Sequence, residues 1–361
     1  MAQGTDVIIA HQKGSVWNTA VQTNVANAGL LLTQWPIGNG LGDLLYDDSL
    51  SGSGFRSNAI RGLNKLTGDA PGMLRYTGLE HAFAMSMGIA GAPTTTDTTG
   101  RIHVFQLATT LDGLFDTIAV MKVGPAATPA LPIWEYPSLK YTGFVIEFIS
   151  DALATITFPL IASSCKSTTG QVTTTTAAVT YRSKVLNVFG THIKFRANAS
   201  SGAALADSDK FYPSRVVLTY RRNMDSTFVL DGSGVMPEPY YTAAPEISLQ
   251  VDFPVYGTST LQTNNFFLTN AFSEVPLKVD ITCTSPVLAG AATAFHNFIF
   301  EFPNVVIGNV EMPVTGPGVI PQNVQLACIE RSAAPTGMAG LTKPMRVTNT
   351  SAMTTDALLN P

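Results

Sequence analysis

Charge is in short supply in this chain. Only 13% of its residues are Asp, Glu, Lys or Arg, about half the ~25% of an ordinary globular protein. The balance is −4, so nothing points to binding a nucleic acid by neutralising its phosphates. The densest basic pair, Arg221-Arg222, reads as a solvated strand end. Two kinds of surface fit so little charge: one largely covered by partners, because charge is depleted at interface centres, or that of a weakly charged monomer. Cysteine is scarce too. Cys165, Cys283 and Cys328 are odd in number, far apart and without paired spacing, which points to reduced thiols in a chain folded in a cytosol. No apolar run approaches the ~18 residues of a membrane span, so no membrane partner is expected. The start, MAQGTDVIIA, has neither the basic region nor the long apolar region of a signal peptide.

Histidine is sparse and scattered. His11, His81, His103, His192 and His296 form no HxH or HxxxH pair and have no cysteine at ligand spacing, so each reads as an ordinary strand, helix or loop residue. His81 adjoins Glu80, too little to support acid–base chemistry. The glycines of IGNGLGDLL (37–45) follow neither GxGxxG nor the P-loop spacing and read as a flexible or tight-turning loop. Asp47-Asp48 nearby offer too few oxygens for calcium. No catalytic residue, cofactor or metal is expected, and the chain is not expected to be an enzyme.

What the sequence does have is strand. Period-two segments rich in β-branched and aromatic residues recur at 101–109, 115–123, 139–149, 154–163, 184–198, 214–222, 246–256, 275–284, 295–302, 323–330 and 345–350. Gly, Pro and Asn clusters part them at the intervals of sandwiches and barrels. Helix is confined to two candidates. In 76–88, Leu79, Phe83 and Met87 fall on one stripe and Gly88 supplies a stop. The other, 262–272, has Thr263 or Asn264 as an N-cap. The length suits roughly two domains of about 150 residues. The Thr-rich stretch 166–179 is the natural break, giving β domains at 1–165, with a long loop at 38–62, and at 180–361.

One strand is written twice, about a domain's length apart: GFVIEF (143–148) and NFIFEF (297–302). Alternation puts Phe144, Ile146 and Phe148 on one face and Val145 and Glu147 on the other, and likewise Phe298, Phe300 and Phe302 against Ile299 and Glu301. Three such side chains carry about 1.5–3 kcal/mol of burial each, so the aromatic faces belong to a core. The two copies suggest twin β modules, whose sheets could continue into those of neighbouring copies and leave no open edge.

At this point the chain resembles the major tail tube proteins of long-tailed, non-contractile bacteriophages, in the version with two fused tube domains. The likeness lies in the order of KGSVWNTAV (13–21), MLRYTGLEHAFAMSMG (73–88), YYTAAPEISLQVDFPVYG (240–257), FHNFIFEFPNVVIGNVEMPV (295–314) and the closing VQLACIERSAAPTGMAGLTKPMRVTNTSA (324–352). The resemblance implies a mainly β fold of tandem sandwich- or barrel-like tube domains, each with a short helix. It also implies trimeric rings of pseudo-sixfold symmetry that stack into a virion tail built in the bacterial cytoplasm. The implied partners are further copies of the chain, a tape-measure protein, tail terminator and distal tail proteins, and double-stranded DNA in transit. The Gly/Ser-rich, partly acidic segment 38–62 then resembles the loop that reaches the next ring, with Asp43, Asp47, Asp48, Phe55 and Arg56 as candidate contacts and disorder expected before stacking. Glu147 and Glu301 are candidate lumen-facing carboxylates, because a mildly negative wall keeps a polyanion from sticking. The alternative for each is a pair with a cross-strand Lys or Arg. Other readings of the chain are a capsid decoration or tail-tip component, or a carbohydrate-binding sandwich using Trp17, Trp35 and Trp134.

Overall fold

The computed structural model describes residues 7–46, 59–96, 100–121, 133–167, 169–182, 186–255, 266–290, 293–314, 317, 319–355 and 357–358. The chain opens with β1 (Ile8–Lys13), β2 (Leu41–Tyr46), β3 (Ala59–Leu63), β4 (Leu66–Met73) and helix α1 (Glu80–Met87). There follow β5 (Gly88–Ala90), β6 (Thr94–Thr95), β7 (Arg101–Leu107), β8 (Asp116–Met121), β9 (Ile133–Tyr141), β10 (Gly143–Ile149) and β11 (Thr155–Ala162). The second half holds β12 (Ile193–Ala199), β13 (Lys210–Phe211), β14 (Arg215–Arg221), β15 (Met224–Asp225), β16 (Tyr240–Tyr241) and β17 (Glu246–Phe253). Helix α2 (Phe266–Phe272) precedes β18 (Leu277–Leu288), β19 (Phe295–Glu311), β20 (Gln322–Cys328) and β21 (Arg346–Ser351). The protein is mainly β, with a short helix in each half, and its sheets are antiparallel throughout.

The pairings build two layers. One runs β4–β11–β10–β14–β17–β20 and ends on the C-terminal part of β19. The other runs β12–β18–β19–β21–β7, using the N-terminal part of β19. Strand β19 therefore serves both layers, pairing through Asn297–Glu301 with β21 and through Val305–Glu311 with β20. The change of partner falls at Pro303, and the register with β18 slips at the same place. A proline has no N–H to offer a ladder, and a bulge bends the strand, so both suit a corner.

The two copies of the repeated strand lie on either side of one core. Phe144, Ile146 and Phe148 of β10 are buried, as are Phe298, Phe300 and Phe302 of β19, which is the face assignment that alternation predicts. The Phe148 and Phe300 rings meet edge to face with centroids 5.9 Å apart. Helix α1 is wedged between the layers, and all eight of its residues are buried rather than a single stripe. Its Phe83 lies 5.1 Å from Phe144 and 5.5 Å from Phe298, centroid to centroid. Gly88 ends the helix in the left-handed conformation at φ 93°, as the sequence predicts.

Strand pairing crosses the boundaries expected at 165 and 180. Strands from the two halves of the chain pair with each other, β10 with β14 and β7 with β21, and one hydrophobic cluster runs from Ile9 to Ala357. The described residues of 166–179, expected as a linker or loop, form an irregular segment tied to the body of the protein. The buried carboxylate of Glu135 accepts the backbone N–H groups of Val172 at 3.0 Å and Thr173 at 2.7 Å, and Thr173 shares a 3.1 Å hydroxyl contact with Thr23. Thr173 and Thr176 are buried. Threonines that read as solvated in sequence are here the polar side of a packed segment. Glu135→Ala leaves two donors without their charged acceptor and is expected to cost about 3 kcal/mol or more in urea unfolding; an unchanged midpoint would restore the linker reading.

Strands β9 and β10 form one long run broken at Thr142. Gly143 opens β10 at φ 145°, and a Cβ there would stand 2.1 Å from the Tyr220 carbonyl oxygen. Only glycine fits this close approach. Gly143→Ala is expected to lower stability by about 2 kcal/mol or more, read as a shift in the denaturation midpoint.

Candidate functional site

The outer face of the first layer is a broad polar surface. Register aligns Thr157, Val145, Thr219, Ser248 and Ala327 in one row across five strands. The next row holds Thr155, Glu147, Val217, Gln250 and Gln325. Glu147 Oε1 accepts from Arg215 Nε at 2.6 Å, and Arg215 Nη1 reaches Asp252 Oδ2 at 3.1 Å. The hydrogen bonds to Glu147 and Asp252 raise the Arg215 pKa above its ordinary value. Arg215 and Glu147 are each about a third or more exposed, at 39% and 34% of the side chain, so the pair orders the face more than it stabilises the fold.

Glu301 stands elsewhere. It lies on the outer face of the second layer, in a row that joins Arg196, Asp280, Glu301 and Arg346 across four strands. Arg346 grips it with two bonds, Nε to Oε2 at 2.6 Å and Nη2 to Oε1 at 2.9 Å. Arg196 grips Asp280 in the same way, at 2.9 and 2.5 Å. Burial, partly offset by Arg196, pushes the Asp280 carboxyl up. Both candidate lumen carboxylates thus have a cross-strand arginine, and they lie on opposite sides of the core.

Within the segment 38–62, the described strands β2 and β3 pair as an antiparallel arm. β2 and β3 pair only with each other among the described residues, outside both layers. The arm exposes Leu41 at 56%, Leu45 at 61%, Ile60 at 66% and Leu63 at 59%, with Leu44 and Tyr46 also exposed. Asp43 lies on β2. Asp47, Asp48, Phe55 and Arg56 lie outside the described residues. A lone two-stranded hairpin is marginal in water, and apolar side chains clustered on a projection mark a contact surface. A second contact feature is the edge of the first layer. Val306–Glu311 of β19 pairs with β20 on one side and with no other described strand, and Val306 is 42% exposed. Unpaired edges of this kind recruit another strand.

The structure also assembles a group that spacing did not announce. His11, His81 and Asp116 are buried together. Asp116 Oδ2 lies 3.2 Å from His11 Nδ1, and its Oδ1 lies 2.8 Å from His81 Nε2. Burial alone would raise the Asp116 pKa, but His81 and His11 hold it well below the ordinary carboxylate range. Burial pushes His11 down. The pairing of β1 with β8 and the packing of α1 bring the three together from positions far apart in sequence. The tryptophans are not exposed platforms. Trp17 donates to the Met236 carbonyl at 2.8 Å and packs on Phe115, Trp35 donates to the Tyr136 hydroxyl at 3.1 Å, and Trp134 packs against the core.

Fold and surface together define a two-layered β protein with a polar outer wall, an unpaired sheet edge and an apolar arm. No family model matches the chain, and no curated protein matches it. Among solved structures, the crystal structure of an Hcp protein is similar over 37% of this chain and 86% of that one, at 11% identity and a TM-score of 0.22. A likeness of that degree carries no functional argument.

Proposed function

We propose that the chain is the structural subunit of a hollow tube, formed by copies joined edge to edge in rings and stacked through the β2–β3 arm. The observation that carries this reading is the arm, six large apolar side chains held outside the core on a hairpin that pairs with nothing else described. A second copy is the partner that satisfies the arm and the free β19 edge at once, since identical subunits repeat both features around a closed ring. The low charge of the chain suits a surface mostly covered by its own copies.

With the resemblance to phage tail tube proteins, the tube is the tail conduit of a long-tailed, non-contractile phage, assembled as trimeric rings around a tape-measure protein. It is closed by terminator and distal tail proteins and later carries DNA to the host. The outer face of the first layer is the wall assigned to the lumen. Its threonines, serine and glutamines carry no charge, and the Glu147–Arg215–Asp252 group, with two carboxylates to one guanidinium, is net negative. Such a wall has no basic stripe on which a polyanion would be retained. Glu301, tied to Arg346, keeps a structural role. This function requires no catalytic residue.

Sedimentation velocity over a wide concentration range tests the reading. Large, discrete species that grow with concentration are expected; a monomer at every concentration would contradict it. A further expected outcome concerns the wall. Tubes of Glu147→Lys should form normally yet retain linear double-stranded DNA at low salt and release it as salt rises, as read by filter binding. Retention unchanged from wild type would move the lumen to another face.

A further inference from the structure

We propose that His11, His81 and Asp116 form a structural binding site for a zinc-class divalent cation, buried in the core and independent of the assembly surfaces. The chemistry starts at His81. Its Nδ1 lies 2.6 Å from the Ala357 carbonyl oxygen, an acceptor only, so Nδ1 carries the hydrogen. The lone pair of Nε2 in the neutral ring then faces Asp116 Oδ1 at 2.8 Å, and a carboxylate oxygen is also an acceptor. Two acceptors at that distance need either a proton or a metal ion between them. His11 Nδ1 lies 3.2 Å from the other Asp116 oxygen, and one ligand atom from each of the three residues lies within 4.8 Å of the others.

The arrangement meets the usual marks of a metal centre. Ligands about 2.0–2.1 Å from a tetrahedral zinc stand roughly 3.3 Å from one another, so the 3.2 Å His11–Asp116 contact already matches and the 2.8 Å His81–Asp116 contact opens by about 0.5 Å to admit the ion. A ligating histidine commonly donates its second N–H to a backbone carbonyl, which fixes ring and tautomer, and Ala357 does this for His81. All three primary ligands are buried, so the site is closed and has the character of a staple, joining β1 to α1 and β8, and through Ala357 to the segment after β21.

The alternative occupant of the gap is a proton, with His81 held as an imidazolium against Asp116. Metal content separates the two. Full-length chain, produced without a polyhistidine tag, is incubated with zinc sulfate, dialysed, and its zinc measured by plasma mass spectrometry. One zinc per chain is expected, together with a fall of the melting temperature on adding a strong chelator. Wild-type protein that retains no zinc, with a melting temperature unmoved by chelator, overturns the proposal and leaves the proton in place. His11→Gln and His81→Gln, checked for folding by circular dichroism, are expected to lower zinc retention at least tenfold. Undiminished zinc in the folded variants would also overturn the assignment. The wild-type measurement decides even where a variant fails to fold.

Discussion

Charging the arm with Leu45→Asp and Ile60→Asp abolishes assembly and leaves the subunit folded. The two residues are cross-strand partners on the β2–β3 hairpin, at 61% and 66% exposure. Neither contributes to the core, so the stability of the two layers changes by no more than about 0.5 kcal/mol, the like charges acting only across the hairpin itself. In a contact with another copy the same positions become desolvated, and an unpaired carboxylate there costs several kcal/mol. Every subunit carries the change, so the penalty recurs at each contact. Sedimentation velocity should show the double variant as a small species at concentrations where the wild type forms large ones, with an unaltered melting curve. Normal assembly by the double variant would remove the arm from the interface.

Phe83→Ala should be the most destabilising single change in the molecule. The Phe83 ring touches both layers, with Phe144 and Phe158 on one side and Phe105, Phe298 and Phe300 on the other, at centroid distances from 5.1 to 6.3 Å. Removing a wedge that two sheets share leaves a cavity neither sheet fills by moving alone, and a buried Phe→Ala change costs about 3–5 kcal/mol. Chemical denaturation gives the value. A loss under about 1 kcal/mol would mean that the layers close without the helix.

Local pattern foretold much of this. The alternation in GFVIEF and NFIFEF assigned Phe144, Phe148, Phe298 and Phe302 to a core and Glu147 and Glu301 to the outside, and the structure agrees. Gly88 was readable as a helix stop. What alternation lacks is the identity of the opposing wall. An aromatic face looks the same whether it closes its own domain or faces its counterpart across a shared core, so two facing strands resembled two separate modules. Strand β4 was hidden for a different reason. Gly68, Asp69, Pro71 and Gly72 speak for a turn, yet all eight residues pair with β11, and tertiary pairing overrides propensity. The histidine group left no local trace because its members meet only through long-range pairing.

Self-association through the arm and the free strand edge is the claim on which the functional account rests. Negative-stain electron microscopy of the purified, untreated chain at high concentration tests it most directly. Hollow tubes of uniform width, with a stain-filled lumen and a regular axial repeat, are the predicted result. Fields of single small particles at every concentration would contradict it.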